Sequence, residues 1–384
     1  MMRLLRLTSG TAVVFGLAWA VCSAQEYNQT NLVSSQGMHA DRQLINPWGM
    51  SRGSGSPWWI SDNGTGLATL YNGAGTKEGL VVKIPAVVSG RTGTPTGTIF
   101  NGSPTDFLLA KGAPAVFLFA TLDGTIAGWN PTVGLTKGEK PPSTNAVTAA
   151  KGQKGSVYTG LTSAVVNGKT YLYAANFGTG NVDVYDNAFK PVHFTAPPYE
   201  LPPFTDDLLP PEYVPFNVQN IGNEIVVTYA LHEPGQFFET DGPGLGYVDV
   251  YSASGHLRLH LEHGDWLNGP WGVALAPLDF GKFSHALLIG QFAGGGTTES
   301  SGWIAAYNLT TGHFEGLLED ATGKPLSIQG IWALSPGNVS PSNRDAASSP
   351  AAEVYFTAGP KGGSEGLFGY LTAVPTELIQ GNDQ

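Results

Sequence analysis

Six segments of this chain repeat one pattern: a glycine, then a short apolar strand that in five cases ends in an aromatic residue. They are Gly66-Leu-Ala-Thr-Leu-Tyr71, Gly124-Thr-Ile-Ala-Gly-Trp129, Gly180-Asn-Val-Asp-Val-Tyr185, Gly246-Tyr-Val-Asp-Val-Tyr251, Gly302-Trp-Ile-Ala-Ala-Tyr307 and Gly366-Leu-Phe-Gly-Tyr-Leu371. Residues 71 and 371 lie 300 positions apart over five intervals, a mean of 60. Such self-similarity marks a repeat architecture, in which each unit is one supersecondary element. A second apolar run precedes each strand, as in Trp58-Trp-Ile-Ser61 and Ile225-Val-Val-Thr-Tyr229. A third lies further upstream: Pro47-Trp-Gly-Met50, Phe107-Leu-Leu109, Leu161 to Val166, Val214 to Val218, Pro270-Trp-Gly-Val-Ala-Leu275 and Ile331-Trp-Ala-Leu334. A weaker fourth follows the aromatic, for example Gly79-Leu-Val-Val-Lys-Ile84.

Four strands per unit and six units predict an all-β, six-bladed β-propeller, which removes free sheet edges by radial closure. Closure requires the chain ends to meet, and Asn31-Leu-Val-Ser34 is expected to supply the outer strand of the last blade. Residues 25–384 are expected to form this single domain, and no helical period is visible after residue 24.

The first 24 residues read as a secretory signal: Arg3 and Arg6, an apolar run from Thr11 to Val21, then Cys22-Ser23-Ala24 before the expected cleavage. Export to the periplasm or beyond follows, with no membrane attachment after cleavage. The only cysteine, Cys22, leaves with that leader, so neither disulfides nor thiolate sites are available to the mature chain. Lys+Arg total 19 against 30 Asp+Glu, a net charge of -11 that becomes -13 without Arg3 and Arg6. An acidic surface argues against nucleic acid and anionic membranes and is compatible with cation binding. A monomer is expected.

In a propeller the loops between second and third strands, and the leading ends of the innermost strands, gather around one mouth of the central channel. The loop positions are Asp62, Asp123, Asn176, His232-Glu233 and Gln291, with Lys361 and Glu365 in the last blade. The leading ends add Asn46, Asp106, Thr162, Asn217, Asn268 and Gln329. Carboxylate and amide oxygens at a funnel mouth suit Ca²⁺ or another hard divalent cation, with Asp62, Asp123, Asn176 and Asn217 as candidate ligands. His232 and Glu233 are the candidate acid–base pair. Each Asp or Asn also reads as an ordinary turn residue. His256, His260 and His263 have helix-like spacing, but Gly255-His-Leu-Arg-Leu-His-Leu-Glu262 alternates, so a strand with His256, Arg258, His260 and Glu262 on its wet face is expected. Trp48, Trp58, Trp59, Trp271 and Trp332 read as core or channel-wall residues rather than a sugar platform. No phosphate loop or His-Glu-x-x-His is present.

The stretches Leu44-Ile-Asn-Pro-Trp-Gly-Met50, Trp59-Ile-Ser-Asp-Asn-Gly-Thr-Gly-Leu-Ala-Thr-Leu-Tyr71, Thr121-Leu-Asp-Gly-Thr-Ile-Ala-Gly-Trp129 and Asn268-Gly-Pro-Trp-Gly-Val-Ala-Leu275 resemble a family of uncharacterised secreted proteins of bacteria and fungi. Some of its members carry a PEP-CTERM sorting tail; residues 376–384 here lack that pattern. The blade layout is more distantly similar to NHL-repeat and SMP-30/gluconolactonase-like propellers, where channel-mouth carboxylates and amides hold a metal that activates water. The resemblance implies a propeller and export. It leaves open three functions: binding of a small molecule, glycan or protein at the channel mouth, a metal-dependent lactonase-type hydrolase or lyase, and a structural surface protein.

Overall fold

The structure is a computed structural model that describes residues 26–38, 40–88, 90–293, 302–337 and 352–375. The expected leader at 1–24 and the tail at 376–384 lie outside the described residues. Strand β1 (Tyr27–Ser34) precedes five blades in chain order. Blade I holds β2 (Pro47–Ser51), β3 (Trp58–Asp62), β4 (Leu67–Tyr71) and β5 (Val82–Lys83). Blade II begins with β6 (Pro95–Phe100), carries a side hairpin of β7 (Leu108–Ala110) and β8 (Ala113–Pro114), and continues with β9 (Phe117–Thr121), β10 (Thr125–Trp129) and β11 (Val147–Lys151). Blade III is β12 (Tyr158–Val166), β13 (Lys169–Asn176), β14 (Asn181–Asp186) and β15 (Pro191–Val192). Blade IV is β16 (Tyr213–Ile221), β17 (Glu224–Leu231), β18 (Tyr247–Ser252) and β19 (Leu257–His260). Blade V is β20 (Pro270–Leu275), β21 (Leu287–Gln291), β22 (Ile304–Tyr307) and β23 (Phe314–Leu317).

Blade VI is β24 (Ile331–Pro336), β25 (Val354–Ala358), β26 (Leu367–Ala373) and, as its outer strand, β1, paired from Tyr27 opposite Ala373 to Ser34 opposite Leu367. The closing strand is where the sequence placed it and begins four residues earlier, because Tyr27 is buried and its hydroxyl donates to the Phe280 carbonyl of blade V at 3.0 Å. Each blade is one four-stranded antiparallel sheet, and the innermost strands touch in a closed ring: β2, β6, β12, β16, β20, β24 and back to β2. The six-bladed propeller expected from the repeat is thus the fold.

One strand assignment differs. The innermost strand of blade II is Pro95–Phe100, not Phe107-Leu-Leu109. Thr and Gly dilute the apolar signal of β6, whereas Phe107 is buried in the hydrophobic cluster of blades II and III beside the hairpin.

Every innermost strand breaks register near its leading end, between Pro47 and Met50, Pro95 and Thr98, Tyr158 and Gly160, Pro215 and Asn217, Pro270 and Gly272, and Ile331 and Leu334. Bulges of this kind bend a strand and increase its twist, as a tight ring requires. Glycine lets neighbouring blades meet backbone to backbone: a Cβ on Gly97 would lie 2.4 Å from Leu161 N, and one on Gly272 would lie 2.4 Å from Trp332 O.

Candidate functional site

The ring closes the axial channel. Trp48, Trp271 and Trp332, each second in its innermost strand, are all buried. Trp332 stacks on Trp48 at 3.8 Å and on Phe292 at 3.6 Å, and Trp271 meets Trp332 edge-on at 5.7 Å. Hydrogen bonds fix two indoles: Trp332 Nε1 donates to Asn46 Oδ1 at 2.8 Å, and Trp271 Nε1 donates to the Thr159 carbonyl at 3.1 Å. Trp48 Nε1 is buried with no hydrogen-bond partner among the described residues. The cavity that all six inner strands line is about 20 Å³, room for about one water, and a wider pocket of about 440 Å³ opens at the trailing ends of β2, β6, β16 and β24. The tryptophans are therefore channel filling, as their positions in the sequence suggested.

The residues expected around the mouth are engaged locally. Asn217 lies within β16 and donates to the Trp271 carbonyl at 2.7 Å. Asn176 donates to Ser156 Oγ at 2.9 Å and to Asp183 Oδ2 at 2.8 Å, and accepts from Val157 N at 3.1 Å. Asp62 is fully buried; Thr69 Oγ1 donates to its Oδ2 at 2.7 Å, and its Oδ1 has no partner among the described residues. Burial holds the Asp62 carboxyl well above the usual range, favouring the neutral acid over the anion that a cation needs. Asp123 is exposed and accepts from Val87 N at 3.1 Å. Asn268 accepts from Gly242 N at 2.8 Å, and its own N donates to Gln291 Oε1 at 2.9 Å, so these two buried amides brace the 232–246 loop against blade V. Gln329 is exposed.

Asp106 is the clear departure. It sits in the β6–β9 connection, at the opposite end of the blades from the expected mouth. There it accepts from Thr170 Oγ1 of β13 at 2.9 Å and from Asn187 Nδ2, in the turn after β14, at 2.7 Å. The misplacement follows directly from the misassigned strand. His232 and Glu233 face different partners: His232 Nε2 lies 3.0 Å from the Gln236 carbonyl with its ring against Phe177, while Glu233 accepts from Thr240 Oγ1 at 3.3 Å.

Two groups emerge that the sequence did not single out. In the 232–246 loop, burial, with the Asp241 charge adding, pushes the Glu239 carboxyl up to about 7. Burial pushes Asp241 up to about 6, and its Oδ1 has no partner among the described residues. The second group is Asp206, Asp249 and His260, whose potential ligand atoms lie within 4.8 Å of one another. His260 Nδ1 is 2.7 Å from Asp249 Oδ1 and 2.8 Å from Asp206 Oδ2, and both carboxylate side chains are fully covered. Tyr251 donates to Asp249 Oδ2 at 3.0 Å, and Leu208 N donates to Asp206 Oδ1 at 2.8 Å. The bond from Asp249, opposed by burial, holds the His260 imidazole above its usual range. His260 thus faces a carboxylate pair and not open water, against the wet-face expectation. The cause is the 193–212 connection, which lays Asp206 over the outer strands of blade IV. The legible hint was the shared Val-Asp-Val-Tyr of β14 and β18, an acid inside an apolar strand.

A cleft of about 400 Å³ lies on the outer half of blade III, bounded by β14, β15, residues 151–153 and Pro203-Phe204. Among the described residues no helix is long and apolar enough to cross a membrane.

No protein-family model matches the chain. It is similar to two uncharacterised proteins of Acanthamoeba polyphaga mimivirus. R640 is 26% identical over 72% of this chain and 48% of its own length, so the chain spans about half of that relative. R648 is 27% identical over 90% of this chain and 78% of its own. Among solved structures, a PQQ-bound aldose sugar dehydrogenase from Streptomyces coelicolor is 13% identical with a TM-score of 0.47, covering 92% of this chain and 99% of that one. A gluconolactonase from Xanthomonas campestris is 12% identical with a TM-score of 0.34, covering 80% of this chain and 89% of that one.

Proposed function

We propose that this chain is an exported propeller that binds a ligand without transforming it, on the face where its B–C loops (those between second and third strands) and its blade-to-blade connections emerge. The observation that carries the reading is the closed channel. Lactonase-type chemistry at a channel mouth needs space for a substrate beside a metal. Here stacked indoles fill that space, Asn176 binds within its own blade and Asn217 binds the Trp271 carbonyl of the next blade. Ligand contacts then fall to the loops and the rim. A divalent cation, where one binds, goes to Asp206, Asp249 and His260. One Nδ1 proton there faces two buried carboxylate oxygens, and an imidazole with two carboxylates suits Zn²⁺ or Mn²⁺ better than Ca²⁺. Such an ion stabilises the fold by binding the native state.

The test incubates the purified protein with a panel of lactones and esters and follows its thermal midpoint in EDTA, then with Zn²⁺, Mn²⁺, Ca²⁺ and Mg²⁺. The reading expects no turnover, and a midpoint raised by Zn²⁺ or Mn²⁺ that His260→Ala no longer shows. Turnover that EDTA abolishes would overturn it in favour of the hydrolase.

A further inference from the structure

Two adjacent blades carry one motif with two different surroundings. Gly180-Asn-Val-Asp-Val-Tyr185 and Gly246-Tyr-Val-Asp-Val-Tyr251 place Asp183 and Asp249 at equivalent points of β14 and β18. Asp249 pairs directly across from His260. Val184 pairs with Val192, so the antiparallel register sets His193 opposite Asp183, one residue beyond β15. The Asp–His juxtaposition is therefore repeated, but only one copy is covered. Over blade IV the long 193–212 connection brings Asp206 onto His260. Blade III is reached by the short connection 152–157, and the corresponding space is the cleft of about 400 Å³.

The floor of that cleft is preorganised. Tyr158 donates to Asp183 Oδ2 at 2.7 Å and Asn176 Nδ2 donates to the same oxygen at 2.8 Å. Tyr185 completes the set at 2.6 Å from the Tyr158 hydroxyl. All of Asp183's side-chain hydrogen bonds among the described residues fall on Oδ2, and the residue lines the cleft. Gly152 permits this packing: a Cβ there would lie 2.4 Å from Tyr158 Oη. Phe194 and Phe204 face the same space and are held edge-on by Tyr171 at 5.2 Å and Tyr173 at 5.8 Å.

Resting on the binding reading above, we propose that this cleft is a saccharide site. Asp183 Oδ1 and the exposed His193, Asn181 and Gln153 supply planar acceptors and donors for hydroxyl groups. The fixed Phe rings supply a flat apolar surface for a sugar's C–H face. The charges balance, Lys151 against Asp183, so the cleft favours a neutral polar ligand over an ion. Its volume lies within the usual range for small-molecule sites, and its mixture of apolar wall and few convergent polar groups is their usual chemistry.

The experiment titrates the purified protein with glucose, galactose, N-acetylglucosamine, maltose and cellobiose in turn, by calorimetry and by saturation-transfer NMR on the sugar. At least one should bind, with affinity lowered tenfold or more by Gln153→Ala and by His193→Ala. Both side chains are exposed, so the fold should tolerate their loss, checked by near-ultraviolet circular dichroism. Lys137→Ala, on the exposed blade II loop, should leave affinity unchanged. No binding of any sugar overturns the proposal. Binding that both cleft variants leave intact also overturns it, while the wider reading of a ligand-binding propeller would stand.

Discussion

The indoles of Trp48 and Trp332 stack with ring centroids 3.8 Å apart and planes 24° from parallel, joining the first blade to the last. This contact spans the seam where the ring must close. Trp332 also stacks on Phe292 and donates to Asn46, so one side chain ties together blades I, V and VI. Trp332→Ala should lower stability by about 3–5 kcal/mol, the usual range for emptying a buried aromatic site. Urea unfolding at unchanged slope measures it. Trp332→Phe should lose less, since it keeps a ring and gives up the Asn46 bond. A loss below about 1 kcal/mol for the alanine variant would mean that the seam is held elsewhere.

Gly160 tests the close approach of the inner strands. A Cβ at this position would lie 2.2 Å from Asn217 Oδ1 and 2.8 Å from Asn217 Cα. Gly160→Ala should therefore destabilise by about 1–3 kcal/mol through overpacking. Gly79→Ala, with nothing within 4 Å of the added carbon, should be near neutral in the same denaturation assay. Equal effects would refute the steric account.

The pH dependence of stability has a definite sign. Glu239 is raised from 4.5 to about 7 and Asp241 from 3.8 to about 6, both chiefly by burial. A carboxyl raised in the folded state holds a proton that the unfolded chain has released, so stability is lost as pH climbs through that window. His260 is raised as well; its contribution is complete below the unfolded value near 6.5 and disappears as pH passes the folded value. Both kinds of group act in the same direction. The urea midpoint should fall between about pH 5 and about pH 8, and Glu239→Gln, which does not titrate, should flatten the fall. A midpoint that rises over this interval would contradict the burial of these carboxyls.

His260 stands between two covered carboxylates, and its removal leaves them facing each other. His260→Ala should cost about 3–5 kcal/mol, as expected when one partner of a buried charged group is lost. Asp249→Asn in that background should recover part of the loss, a coupling that a double-mutant cycle reads directly. Additive effects would show that the contact at 2.7 Å carries no energy.

The sequence by itself determined the number of blades, the strand count in each and the closing role of the N-terminal strand. These follow from period and alternation, which are local properties of the chain. It also determined that the tryptophans face inward, because they fall at matching positions of successive units. It misread β6, where Thr and Gly weaken the apolar pattern, and with that strand it sent Asp106 to the wrong end of the blades. Only the tertiary structure decided that the channel is closed, since stacking of Trp48, Trp271, Trp332 and Phe292 joins residues up to 284 positions apart. It alone decided that Asp249 is covered and Asp183 is open. The two aspartates share one local sequence, and what separates them is the length of the connection that crosses each blade.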